Sequence, residues 1–125
     1  MDEPLKPVLY SAAVDAILSV GEQLTERGRG NWALPKVAAF DAVKRIGELG
    51  VAVLGGDVFR REGSELVFDY AGWSSDPQSG EEWQAFVARS LVETIAYIST
   101  YPDEQALFAI VPNLLAGEEF TSNDR

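Results

Sequence analysis

The chain has 125 residues, 46% of them hydrophobic and 24% charged, with 20 acids against 10 bases for a formal net charge of −10. It contains neither cysteine nor histidine, which excludes disulfides, thiolate nucleophiles, Ser-His-Asp chemistry and Cys- or His-ligated metal centres. One globular domain spanning residues 1–125 is expected, long enough to bury a core without covalent staples.

No apolar run approaches the roughly 20 residues needed to cross a bilayer, so no membrane association is expected. Met1-Asp2-Glu3-Pro4 has neither the basic start nor the apolar core of a signal peptide, and cytoplasmic localisation follows as the expectation. The bases form no dense run, so nucleic acid is not the expected partner. The acid surplus either serves solubility or favours a basic partner and speeds its encounter.

The first predicted element is an amphipathic helix from about Val8 to Arg27. Tyr10, Val14, Ile17, Leu18, Gly21 and Leu24 recur in it at three- and four-residue spacing. Gly28-Arg29-Gly30 closes it, and Asn31-Trp32 falls in the connection. A second helix is predicted from about Pro35 to Leu49, with Ala39, Val43 and Ile46 as its apolar stripe and Gly50 as its stop.

Val51–Glu62 and Glu65–Ala71 read as a β-hairpin around Gly63-Ser64, where glycine first in a two-residue loop fits a type II′ turn. That register sets Phe59 opposite Phe68 and Arg60 opposite Val67, with Asp69 diagonal to Arg60. It also places Glu62 opposite Glu65, an unfavourable like-charge pair, which leaves a turn longer than two residues as the alternative. Gly72 to Gly80 is predicted as a polar loop bearing Trp73 and Asp76. Ser79-Gly80-Glu81-Glu82 fits a capping box at the start of a third helix, which runs to about Tyr101 and is stopped by Pro102.

Ala106 to Val111 is a continuous apolar run. Pro112 would break a helix inside, so a buried strand is preferred. Residues 1–7 and 118–125 are expected to be mobile. The predicted class is α+β in the order α-α-β-β-α-β. The small antiparallel three-stranded sheet has strand order 2-1-3, with helices covering one face and the other face partly open as a binding surface.

Few residues could carry chemistry. Asp57 and Asp69, on neighbouring strands, could divide acid and base roles or hold a divalent cation. Yet no substrate pocket or second stabilising group is visible, and Asp57 more simply bonds backbone amides at the glycine pair or pairs with Arg60 or Arg61. Gly55-Gly56 interrupts a strand and marks a bulge or a close backbone approach. It lacks the following helix and the glycine spacing of a phosphate loop. Trp73 either folds back as a lid anchored by its indole N–H or stands out as an interface anchor. Ser90, Tyr97 and Tyr101 read as packing residues on the third helix, and Ser90 has no base to activate it.

The blocks Leu54-Gly55-Gly56-Asp57-Val58-Phe59, Asp69-Tyr70-Ala71-Gly72-Trp73, and Ser90 with Tyr97-Ile98-Ser99-Thr100-Tyr101 resemble a bacterial immunity protein of the polymorphic-toxin systems, of the type called immunity protein forty. The resemblance covers roughly residues 45 to 111 and departs at Ala71-Gly72, where a more polar pair is expected. It implies a small cytosolic protein that binds one cognate toxin domain and neutralises it, with no catalytic residue, cofactor or metal. Charge alone points to a basic toxin, a nuclease being the natural class; the chain itself is expected to be a monomer or weak dimer. The expected contact residues are Asp69, Trp73, Asp76, Glu81 and Glu82, with Asp57 secondary; Gly55, Gly56, Ser90, Tyr97 and Tyr101 are scaffold. The competing readings are a housekeeping interaction module and a carboxylate- or metal-dependent enzyme.

Overall fold

A computed structural model describes residues 13–24 and 32–113. The described elements run α1 (Asp15–Leu18), β1 (Glu22–Gln23), β2 (Trp32–Pro35), α2 (Lys36–Glu48), β3 (Val53–Glu62), β4 (Glu65–Ser74), α3 (Trp83–Thr100) and β5 (Leu107–Pro112). The strands form one five-stranded sheet ordered β1-β2-β5-β3-β4, and every neighbouring pair is antiparallel.

The fold is α+β as predicted, with β4, β3 and β5 in the expected adjacency, but the sheet does not stop at three strands. Beyond β5 it gains β2 and β1. Both fall where a long first helix and a loop were expected. The physical reason is that the spacing of Val14, Leu18 and Leu24 does not describe one face. Val14 and Leu18 enter the main core beneath the helices, whereas Leu24 joins a separate apolar cluster with Ala33, Phe59, Leu107 and Ala109. The chain passes Gly21, where a Cβ would meet the Ala33 carbonyl oxygen at 2.6 Å, and then pairs as β1. Trp32 is therefore a half-buried strand residue packed against the main core. The Gly28-Arg29-Gly30 stop and the termini expected to be mobile lie outside the described residues.

Helix α2 forms close to its predicted place. Pro35 holds φ at −61° as the N-cap residue, and Ala39, Ala42, Val43 and Ile46 turn inward. The hairpin register is also as predicted, with Phe59 opposite Phe68, Arg60 opposite Val67 and Glu62 opposite Glu65. Gly63 takes φ +63°, the left-handed first position that a type II′ turn demands. Arg60 relieves the like-charge pair by bonding Glu62 through Nε (2.9 Å) and Nη2 (2.7 Å). Strand β4 runs on to Ser74, so Gly72 and Trp73 belong to the sheet and not to a loop.

The apolar run of β5 is central in the sheet and almost wholly buried, which is why it lacks polar alternation. The row Leu34–Phe108–Val58 faces α1, α2 and α3 as the main core. Each fully buried aromatic or aliphatic side chain there contributes roughly 1.5–3 kcal/mol. The opposite face carries the row Glu22–Ala33–Ala109–Asp57–Gly72 across all five strands. No described helix packs on that face.

Candidate functional site

The double glycine makes room for one side chain. Trp73 lies opposite Gly56, and a Cβ on Gly56 would collide with the Trp73 ring and the Ala109 carbonyl oxygen. The indole stacks on Tyr97 with ring centroids 4.9 Å apart and meets Phe108 edge-on at 6.4 Å. Its Nε1 donates to the Thr94 hydroxyl at 2.9 Å. Trp73 is thus a lid between sheet and α3, seated from within the strand. Gly72 is held to glycine as well, since a Cβ there would lie 2.6 Å from the Gly56 carbonyl oxygen; a larger polar residue would push β4 away from β3.

The remaining motif residues form a bracket around this lid. The buried Ser90 hydroxyl donates to the Val87 carbonyl at 2.9 Å and accepts the Val53 N–H at 3.0 Å, so α3 is pinned to the first residue of β3. Tyr101 donates to Asp69 Oδ2 at 2.5 Å, and Arg60 Nη1 donates to Asp69 Oδ1 at 2.8 Å. The Tyr101 bond, followed by the Arg60 bond, holds the Asp69 carboxyl below its usual range. The same bond, followed by burial, pushes the Tyr101 phenol up to about 12. Burial raises Tyr97 first, with the Asp69 charge adding to it.

The structure does not bring Asp57 and Asp69 together as a working pair. Asp69 points to Tyr101 on the helix side, while Asp57 stands in the cross-strand row of the opposite face, beside Ala109 and Gly72. Nor does Asp57 pair with an arginine: Arg60 is taken by Glu62 and Asp69, and Arg61 by Glu22. No hydrogen bond or ion pair among the described residues uses the Asp57 carboxylate. Among the described residues no three acids gather into a metal-binding group.

The loop after β4 is stapled to α3 by Arg89. Its guanidinium donates to both Glu81 carboxylate oxygens at 2.9 and 2.8 Å, to Glu93 at 3.1 Å and to the Asp76 carbonyl at 2.6 Å. Glu81 also accepts the Gln78 N–H at 3.0 Å. The Arg89 bonds, with the Gln78 amide next, hold the Glu81 carboxyl down at about 2. The expected capping box is therefore absent. Glu82 is the N-cap residue without a side-chain bond, and Glu81 turns inward to arginine. Asp76 and Glu82 remain exposed. Next to them Trp83, 41% exposed, donates its Nε1 to the Gly50 carbonyl at 3.2 Å.

One residue escapes sequence reasoning altogether. Between the pairs Asp57–Gly72 and Phe59–Phe68 the register shifts, so Asp69, Tyr70 and Ala71 together face Val58. In this bulge Tyr70 adopts φ +55°, the one non-glycine residue with positive φ among those described, and is 87% exposed. That conformation costs an L-residue about 1–2 kcal/mol. The local pattern Leu66, Phe68, Tyr70 reads as plain strand alternation, so no sequence signal marks it.

Charge is distributed unevenly between paired and unpaired groups. Lys36, Arg45, Arg60, Arg61 and Arg89 are each already bonded to an acid. No ion pair among the described residues uses Glu48, Asp57, Glu65, Asp76, Glu82 or Asp103. No curated protein and no solved structure matches the chain. A family model described as Immunity protein 40 does match, over residues 23–112, a span that takes in the glycine pair, the Trp73 lid and the Ser90 and Tyr101 bracket. The chain belongs to the immunity protein 40 family.

Proposed function

We propose that this chain is a cytoplasmic immunity protein that binds a cognate secreted toxin domain stoichiometrically and blocks it, acting by occupation and not by catalysis. Membership of the family is the observation that carries this reading. The choice of a basic toxin rests on charge: the described bases are nearly all neutralised internally, while Asp76, Glu82 and Asp57 are left for a partner. A nuclease domain fits, because its cleft must be basic to hold phosphate. The exposed Asp76 and Glu82 steer such a domain toward the end of β4, and Glu81 acts by holding their loop in place.

Co-expression with the secreted toxin domain expected to be encoded immediately upstream tests the proposal, scored by cell survival. Rescue by this chain, and not by an unrelated acidic domain of similar size, is the expected result. Unchanged killing with the soluble protein present would remove the reading.

A further inference from the structure

Tyr70 combines three properties that packing does not require of one residue. It is strained at φ +55°, it is 87% exposed, and it is an aromatic at the middle of an edge strand. Glycine would occupy the same backbone without strain. The surroundings hold the bulge firmly. Asp69, the preceding residue, is fastened by Tyr101 and Arg60. Gly72 and Trp73, just after it, are locked against Gly56. The Tyr70 ring rests on Phe68 at 5.0 Å, and Phe68 in turn meets Phe59 at 5.8 Å. An aromatic ladder therefore rises from the buried Phe59 to the exposed Tyr70.

Phe59 and Asp57 lie two residues apart on β3 and so share a face, the one that carries no described helix. Exposed positions continue along β4 at Gly72 and Ser74 to Asp76. At about 3.3 Å per residue, Tyr70 and Asp76 span roughly 20 Å, within one face of a standard interface of about 800 Å² per partner.

We infer that Tyr70 is the anchor of the toxin contact, inserted into the partner from the β4 edge while the Asp57 carboxylate on the same face, which no described residue engages, takes a basic side chain. This inference rests on the immunity reading above. The bound toxin is the occupant because the carboxylates of Asp57 and Asp76, which flank the β4 edge, have no ion-pair partner among the described residues, and the nearby cations Arg60 and Arg61 are both already bonded to acids. An aromatic of this kind, held rigid before binding, loses little entropy on insertion.

The test uses the full chain and the catalytically inactivated toxin domain encoded beside its gene. Binding is measured by titration calorimetry for the unaltered chain and for Tyr70→Gly, Tyr70→Phe and Asp57→Asn, with a melting curve for each. Tyr70→Gly is expected to weaken binding about tenfold or more while its melting temperature stays equal or rises, since glycine relieves the strain. Tyr70→Phe should retain binding. Asp57→Asn should weaken it and flatten its salt dependence. If Tyr70→Gly binds within about twofold of the unaltered chain, the anchor is wrong while the immunity reading stands. Failure of the unaltered chain to bind overturns both. A dimer that Tyr70→Gly converts to monomer, with toxin affinity unchanged, would assign the edge to self-association and also overturn the proposal.

Discussion

Ser90 shows how much a single hydroxyl can do in a chain without histidine or cysteine. It bridges the Val87 carbonyl and the Val53 N–H in a fully buried setting. Ser90→Ala would leave the Val53 donor buried and unpaired, which costs about 1–3 kcal/mol. We expect a urea midpoint lowered accordingly, with toxin binding per folded molecule unchanged. A wild-type midpoint would show that the bridge contributes nothing. That Ser90 sits on an apolar helix face is readable from spacing. Its partner on β3, 37 residues away, is not, because no local rule connects a helix hydroxyl to one strand amide.

The loop between β4 and α3 illustrates the same divide at the level of an element. The helix start lies near the predicted position, yet the capping box is not what organises it. Arg89, two turns into α3, draws Glu81 inward and clamps the loop backbone at Asp76. Because Arg89 and the Gln78 amide depress the folded Glu81 carboxyl to about 2 from its ordinary value of 4.5, the clamp's contribution is complete above about pH 4.5. It is lost as pH falls through about 2. The protection of the Gln78 amide, whose N–H is bonded to Glu81, measured against the intrinsic exchange rate at each pH, should fall across that window, and Glu81→Gln should show the reduced protection already at neutral pH. Equal exchange in the variant and the parent at pH 7 would mean that the loop is held by its backbone alone. The hairpin behaves differently. Its register and its aromatic pair were legible, since glycine chemistry and alternation act over a few residues, while the turn length, left open by the facing Glu62 and Glu65, was decided by the structure.

For the molecule as a whole, the acid surplus makes a prediction that neither scale below it contains. Reversing Asp76 and Glu82 together to lysine removes steering charge without breaking any bond made by either side chain among the described residues. Association with a basic toxin should slow about tenfold at low salt and become less sensitive to added salt, with dissociation little changed. Stopped-flow association at two ionic strengths would show it. Identical rates for variant and parent at both strengths would rule out the acidic loop as the steering surface. Asp69 and Glu81 are poor choices for that experiment, because both are ion-paired within the fold.

What the sequence determined by itself was local: α2, α3, the β3–β4 hairpin and the buried β5 run follow from periodicity, proline and glycine, each acting within one or two turns of chain. The absence of thiols and imidazoles and the acid surplus also needed no structure. Tertiary structure alone decided that Leu18 and Leu24 enter opposite faces of the sheet, and so that β1 and β2 replace most of a helix. It decided which acids keep their charge for a partner, since Arg60, Arg61 and Arg89 choose among carboxylates distant in sequence. It also made Tyr70 conspicuous, through a register shift between the pairs Asp57–Gly72 and Phe59–Phe68. Such outcomes depend on which strands meet, and contacts between elements far apart in sequence, unlike those across a tight hairpin, are invisible to any rule that reads only neighbours along the chain.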